Sequence, residues 1–125
     1  MHPELLRAVA RAGHGEWVVV ADHGLPIPRG PQRVELGVRD GLPTVLEVVR
    51  ALLEELATDH AILAAESRTS STAWHEDALR SLIGLRVEYL DHERLKHGLK
   101  DSLIVVRTGD RTPYANVVLV GGVDF

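Results

Sequence analysis

The sequence predicts an α/β fold, specifically a three-layer α/β/α single domain over residues 1–125 with a mainly parallel central sheet. Strand-like segments alternate with segments of helical periodicity through most of the chain, which is typical of layered α/β proteins. Apolar residues make up 45% of the chain and aromatic residues only 4%, so branched aliphatic side chains dominate the expected core. This composition suits the buried strands of a parallel sheet. A length of 125 residues leaves little room for a second domain.

The expected helices are recognised by apolar spacing and by their caps. Pro3 suits the first helical position, and Thr44 followed by Glu47 forms a capping box. Asp91 is an N-cap candidate for a short helix. With the apolar periodicity, these signals predict helices over residues 3–12, 44–56, 75–83 and 91–98.

The expected strands are short apolar or alternating runs. They cover residues 17–21, 33–38, 60–65, 85–90, 103–107 and 116–120. The last two are close enough in sequence to form a hairpin. Residues 68–72 are polar and typical of a turn. After Asp22, the prolines Pro26 and Pro28 exclude a helix and indicate a shaped loop.

Charge and composition exclude several function classes. The formal net charge is −4 and no block of basic residues occurs, which argues against a nucleic-acid partner. The absence of cysteine excludes disulfides and thiolate metal sites. Neither a signal-peptide pattern nor a bilayer-spanning apolar run is visible, so we expect a soluble cytoplasmic protein without a membrane partner.

The spacing of motifs also argues against a metal or a cofactor. His92-Glu93 is followed by His97 at i+5, which turns the second imidazole off the face that a zinc-binding helix requires. Residues 22–28 occupy the place of a dinucleotide-binding loop but cannot open a helix. A phosphate-binding loop and a serine-nucleophile elbow are absent.

Several polar residues fall where the expected elements end. They are His14 after the first helix, Asp22 after the first strand, His92 in the first turn of a helix, and Tyr114 and Asn116 beside the last strand. Ligands of open α/β sheets bind outside the carboxyl ends of strands. Each residue taken alone is as compatible with a cap, a turn or packing. Together, an imidazole, a carboxylate and neutral hydrogen-bonding groups suit proton transfer on an uncharged polar substrate.

Three strings, in order and over essentially the whole chain, resemble the D-ribose pyranase family. They are Gly13-His14 with the run Val18 to Pro28, then Asp91 to Lys96, and finally Arg107 to Phe125 with its Pro113-Tyr114-Ala115-Asn116 core. The resemblance implies an isomerase that opens and recloses the hemiacetal ring of D-ribose, without metal or cofactor, interconverting β-pyranose and β-furanose forms.

The resemblance also implies roles for individual residues. It implies a catalytic acid at His14 and substrate-binding roles for Asp22, His92, Tyr114, Ala115 and Asn116, with the backbone around Ala115 able to contribute an amide. It further implies a ring-shaped homo-oligomer, a decamer, with sites between subunits. We also expect His14 and Asp22 to meet at one rim of the sheet.

Two alternatives stay open at this point. The related L-fucose mutarotases share the Gly-His and Val-Ala-Asp elements, so the substrate could be fucose or another free sugar. A non-catalytic sugar-binding protein is the other alternative, although it would have no need of His14 beside Asp22. The chain departs from the pyranase pattern at Gly15-Glu16 and His23, and the stretch from Glu66 to Leu85 is short for the family.

Overall fold

Helices and strands alternate along the computed structural model, which describes residues 2–123. The strands are β1 (Trp17–Ala21), β2 (Gln32–Glu35), β3 (Thr58–Ala64), β4 (Arg86–Leu90), β5 (Ile104–Arg107) and β6 (Val117–Gly121). The helices are α1 (Pro3–Arg11), α2 (Val45–Leu53), α3 (Ser67–Ser70), α4 (Thr72–Ser81) and α5 (His92–Gly98), with a 3-10 turn at Leu99–Asp101. No helix within residues 2–123 has the length and apolar character needed to cross a membrane.

The strands form one sheet in the order β2-β5-β1-β6-β3-β4. Strand β6 runs antiparallel to its neighbours β1 and β3, whereas the other neighbouring strands pair in parallel. Apolar side chains of α1, α2 and α4 pack on one face of the sheet. Leu95 of α5, Leu99 and the loop residues Leu25 and Ile27 cover the other face. The three-layer fold with a mainly parallel sheet is therefore confirmed.

The expected β5–β6 hairpin is wrong. Val18 of β1 pairs with Ile104 of β5 on one side and with Leu119 of β6 on the other, so β1 lies between the two strands. The residues Val18 to Ala21 are completely buried. Such a strand is satisfied only when both of its hydrogen-bonding edges are paired. Residues 108–116 are long enough to pass over the end of β1 to its far side.

Two further expectations differ in detail. The predicted strand 33–38 is shorter and ends at Glu35, because the chain turns away and the Val38 amide donates to the Leu42 carbonyl at 2.9 Å. The segment 68–72, expected as a turn, instead covers most of α3, and its last residue, Thr72, begins α4. The first residue of α3, Ser67, is fully buried, and its hydroxyl donates to the Ala64 carbonyl at 2.7 Å.

The predicted helix caps are present. Thr44 and Glu47 form both halves of the capping box, with the Glu47 amide 3.2 Å from Thr44 Oγ1 and the Thr44 amide 3.0 Å from Glu47 Oε1. At the start of α5, Asp91 Oδ1 accepts the amide of Arg94 at 2.9 Å. Local sequence thus determines where these two helices begin.

The loops at the carboxyl edge of the parallel strands are tied to one another. The amide and hydroxyl of Thr108 both donate to the Ala21 carbonyl, at 3.0 and 2.8 Å. Next, the Gly109 amide donates to the Pro43 carbonyl at 3.1 Å, and the Gly109 carbonyl accepts the Gly41 amide at 2.6 Å. A Cβ at Gly109 would lie 2.2 Å from the Arg39 carbonyl oxygen, so only glycine fits at this crossing.

We therefore expect Gly109→Ala to destabilise the fold by about 1–3 kcal/mol, because backbone and not a mobile side chain would have to move. Urea denaturation measures this change. The matched control is Gly24→Ala, whose Cβ would meet its nearest atom at an ordinary 3.8 Å. Equal stabilities of the two variants would contradict the close packing inferred at Gly109.

Candidate functional site

A cleft of about 380 Å³ opens at the carboxyl edge of the sheet. It is lined by Asp22, Gly24, Leu25, His92, Asp110, Arg111, Thr112, Pro113 and Tyr114. The loop after β1, the first turn of α5 and the β5–β6 connection each contribute a wall. Three of the predicted site residues, Asp22, His92 and Tyr114, are thus brought together.

Asn116, another predicted residue, lies directly behind Asp22 and is fully buried. Its Oδ1 accepts the Asp22 amide at 2.8 Å, and its Nδ2 lies 3.4 Å from Asp22 Oδ2. The second Asp22 oxygen, Oδ1, accepts the Gly24 amide at 3.0 Å. Asn116 therefore holds the Asp22 side chain at the base of the cleft.

Burial raises the pKa of the Asp22 carboxyl above its ordinary value of 3.8. Backbone hydrogen bonds from Gly24 and Leu25 offset part of this increase. The side-chain hydrogen bond from Asn116 and positive charge on His92 offset it further. The loss of hydration on burial outweighs these favourable interactions. The carboxylate can therefore gain from a further hydrogen bond donated by a ligand hydroxyl.

The His92 ring also lines the cleft and contacts Tyr114. The two ring centroids are 5.0 Å apart at an interplanar angle of 84°, an edge-to-face contact. His92 Nδ1 is buried without a hydrogen-bond partner within residues 2–123. The His92 backbone is fixed by Glu66, whose two carboxylate oxygens each lie 3.0 Å from the His92 amide. The fixed imidazole lines the cleft, where its ring can take part in binding a hydroxyl group.

Tyr114 reaches the cleft through an unusual backbone conformation. Its φ of 59° lies in the left-handed region, which is unfavourable for a bulky side chain. The amides of Ala115 and Asn116 donate to the carbonyls of Thr112 (3.3 Å) and Tyr114 (2.9 Å), so the turn is hydrogen-bonded internally. Ala115 itself is fully buried in the core. The Ala115 amide donates to the Thr112 carbonyl within the turn. The expected contact between this amide and a sugar stays a prediction.

His14 lies at the opposite edge of the sheet. It is exposed in the turn between α1 and β1, where the neighbouring Gly15 amide donates to the Gly121 carbonyl at 2.9 Å. The five residues of β1 separate this turn from Asp22, a length of about 17 Å. The expectation that His14 and Asp22 meet at one rim is therefore wrong within a single chain, because His14 precedes β1 and Asp22 follows it.

Asp110 is a site residue that the sequence reasoning missed. Its carboxylate is buried and accepts the amides of Val45 and Thr112, each at 3.0 Å, while its carbonyl accepts the His23 amide at 2.8 Å. It thus joins three segments around the cleft. The one sequence signal for Asp110 was its place in the string Arg107 to Asp110. Its partners Val45 and His23 are distant in sequence, so no local pattern indicated its role. The unusual His23 enters this network through its backbone and is half-buried beside the cleft.

No group of three side chains able to hold a metal ion occurs within residues 2–123. The polar groups facing the cleft are carboxylates, an imidazole, a phenol and the Arg111 guanidinium, which pairs with Asp40 at 2.9 Å. The cleft is therefore equipped for hydrogen bonding to a neutral polar molecule.

The raised pKa of Asp22 predicts a pH-dependent stability. Because the folded state holds the Asp22 proton more tightly than the unfolded state, the contribution of Asp22 to stability is greatest below 3.8 and is lost as pH rises through the raised pKa. The free energy of unfolding of the wild type minus that of Asp22→Asn should therefore decrease over this range. A difference of one between folded and unfolded pKa values corresponds to about 1.4 kcal/mol.

Urea denaturation at a series of pH values measures this difference, and Asp59→Asn is the control of opposite sign. The hydrogen bond with His60 lowers the pKa of Asp59, so the contribution of Asp59 is lost as pH falls. A difference for Asp22 that is constant, or that grows with pH, would contradict the effect of burial.

Comparison with known proteins identifies the family. The sequence model of the RbsD / FucU transport protein family matches residues 1–124. The D-ribose pyranase of Paracidovorax citrulli is 41% identical over 125 residues, which is 100% of this chain and 95% of that protein. The D-ribose pyranase of Symbiobacterium thermophilum has the same identity and coverage.

Solved structures give the same result. The structure of Bacillus subtilis RbsD complexed with D-ribose is 37% identical with a TM-score of 0.96, covering 100% of this chain and 95% of that chain. The fucose mutarotase of Streptococcus pneumoniae, in complex with L-fucose, is 22% identical with a TM-score of 0.77, covering 99% of this chain and 94% of that chain, and shares the fold. By sequence and by fold, this chain belongs to the RbsD / FucU family.

Proposed function

We propose that this chain is a D-ribose pyranase, an isomerase that interconverts the β-pyranose and β-furanose forms of D-ribose. The observation that carries the proposal is the match, at 37% identity and a TM-score of 0.96, to a relative whose structure holds D-ribose. The full-length identity of 41% to D-ribose pyranases supports the same reaction.

The cleft fits the chemistry of a free sugar. A pentose carries several hydroxyl groups and no charge, so recognition depends on directed hydrogen bonds. Asp22 supplies an acceptor, His92 an imidazole and Tyr114 a phenol to the lining of one cleft. Asn116 keeps Asp22 in place from behind. These four residues are the proposed sugar-binding set, with Ala115 as the packed residue between two of them.

Ring opening requires two proton transfers. One proton leaves the anomeric hydroxyl and another reaches the ring oxygen as the carbon–oxygen bond breaks. The open aldehyde then rotates, and attack by a different hydroxyl gives the other ring size. Histidine is the side chain best suited to give and take protons at neutral pH. His14 is the proposed proton donor.

Because His14 is at the far edge of the sheet, the proposed site forms between subunits. The sugar-binding cleft of one chain takes its acid from the exposed His14 turn of a neighbouring copy. Such a head-to-tail contact generates a ring when the rotation closes. This supports a ring-shaped homo-oligomer; the decamer that the family resemblance implies stays a prediction. The proposal places the enzyme in the cytoplasm, since a chain without cysteine folds without an oxidising compartment.

Neither alternative is favoured. The fucose mutarotase in complex with L-fucose is only 22% identical to this chain, against 37% for the relative in complex with D-ribose. A purely binding role leaves the exposed histidine without a purpose and does not agree with relatives that are named as enzymes.

We expect His14→Ala to lower the rate of pyranose–furanose exchange by about two to four orders of magnitude, the usual contribution of a general acid. Ribose binding should persist, because the cleft residues are intact. Saturation-transfer NMR on free ribose measures the exchange rate, and titration calorimetry measures the binding. The control is His97→Ala, which removes another exposed imidazole, on α5. Near-normal exchange in His14→Ala would remove His14 from the mechanism.

Sites shared between subunits predict complementation. His14→Ala and His92→Ala chains, inactive alone, should recover activity when unfolded, mixed and reassembled together. With equal amounts and random assembly, about a quarter of the sites combine an intact His14 with an intact cleft. Mixed oligomers without any recovery would show that each chain builds its site by itself.

A further inference from the structure

A short segment between β3 and α4 connects two walls of the cleft, the one that carries His92 and the one that carries Tyr114. This bridging segment (residues 66–71) consists of Glu66, α3 and Ser71. Glu66 and Ser71 are absent from the lining of the cleft. Each nevertheless makes a side-chain hydrogen bond to the backbone of a wall.

The first end of the bridging segment holds His92. Both carboxylate oxygens of Glu66 lie 3.0 Å from the His92 amide, at the first residue of α5. Asp91, the N-cap, accepts the Arg94 amide instead, so the two acidic side chains share the exposed amides of this turn. A carboxylate at this position forms a charge-assisted bond and is favoured by the helix dipole. Glu66 therefore fixes where the His92 side chain leaves the backbone.

The second end holds the turn that carries Tyr114. The Ser71 hydroxyl donates to the Pro113 carbonyl at 2.6 Å. That carbonyl belongs to the peptide that joins Pro113 to Tyr114, and Tyr114 adopts the left-handed φ of 59°. A conformation of this kind persists only when surrounding contacts hold it. Ser71 supplies one such contact from outside the loop.

The two ends are connected by one helical turn. The Ser70 amide donates to the Glu66 carbonyl at 2.9 Å, and the Ser71 amide donates to the Ser67 carbonyl at 3.2 Å. Buried Ser67 anchors the turn to β3 through the Ala64 carbonyl. On the other side, the rings of His92 and Tyr114 touch. The contacts form a closed circuit, so displacement of one end is transmitted to the other.

We propose that Glu66 and Ser71 are positioning residues that act as one unit through α3, setting the separation of His92 and Tyr114 and thereby the affinity for the sugar. The inference rests on the proposed function of the cleft. Because Glu66 and Ser71 lie outside the lining of the cleft, their effect is on binding, and the chemical step is left unchanged.

A double-mutant cycle tests this coupling. Glu66→Ala and Ser71→Ala should each weaken ribose binding by about two- to tenfold, the effect of one lost hydrogen bond. The double variant should bind within about twofold of the weaker single variant, because either change already opens the circuit. KM should rise with kcat unchanged. Calorimetry gives Kd, and saturation-transfer NMR gives the exchange rates.

Matched controls separate positioning from general damage. Glu93→Ala removes a carboxylate from the same turn of α5, where it pairs with Lys96 at 2.9 Å, and should leave Kd unchanged. Thr72→Ala changes the exposed residue beside Ser71 and should also be neutral. Glu66→Gln and Ser71→Thr retain an acceptor and a donor and should restore most of the affinity. If the alanine variants fail to fold, Glu66→Asp and Ser71→Cys replace them in the double-mutant cycle. Glu66→Gln and Ser71→Thr then remain the controls that keep the hydrogen bonds.

Hydrogen exchange in the sugar-free protein provides a second readout. Glu66→Ala should speed exchange in the peptide that contains Tyr114, and Ser71→Ala should speed exchange in the peptide that contains His92. Effects confined to the nearer wall, or affinity losses that multiply in the double variant, would overturn the coupling. A wild type that binds no ribose would reject the proposed function, whereas the exchange measurement would still decide whether the two walls are coupled.

Discussion

The buried contact between Asp22 and Asn116 is the interaction on which the cleft depends. One amide side chain accepts the backbone N–H of Asp22 and faces its carboxylate with the amide nitrogen. Leaving a buried donor or acceptor unpaired costs about 1–3 kcal/mol, and more for a charged group. The contact exists because β6 runs antiparallel beside β1, which places the beginning of one strand at the end of the other. A fully parallel neighbour would have placed residue 116 at the far edge of the sheet.

The β5–β6 connection follows from the same topology. It must cross the end of β1, and Thr108 and Asp110 secure this crossing with bonds to Ala21 and His23. The left-handed conformation of Tyr114, which costs about 1–3 kcal/mol in a non-glycine residue, is maintained by this anchoring. Rigid loops on a buried sheet hold the cleft in a fixed geometry, and preorganisation reduces the entropy lost when a ligand binds.

Local signals predicted the elements, whereas long-range contacts decided the arrangement. The capping box of Thr44 and Glu47 and the N-cap at Asp91 depend on residues three apart, and both are present. The placement of Asp22 after a strand also predicted its position at the carboxyl edge. By contrast, the hairpin prediction used only the short distance between β5 and β6 in sequence. That prediction took no account of β1, a buried strand whose backbone groups must be hydrogen-bonded on both sides and which therefore lies between β5 and β6.

The same limit explains the site residues that were missed or misplaced. Glu66 and His92 are 26 residues apart, and Asp110 and Val45 are 65 apart, so no local pattern links them.

His14 was misplaced for a related reason. The sequence correctly predicted a helix end at Gly13 and a loop after Asp22, but strand β1 runs from one edge of the sheet to the other and separates the two positions. Under the proposed function this separation is useful. If His14 lay beside Asp22 in addition to His92, its imidazolium would pair with the carboxylate, and an ion pair of this kind stabilises the charged forms of both groups. Such a pair holds the proton that the ring oxygen needs. In the proposed assembly, His14 of a neighbouring subunit and Asp22 lie on either side of the sugar, so that each group acts on the substrate and the proposed site is complete only between subunits.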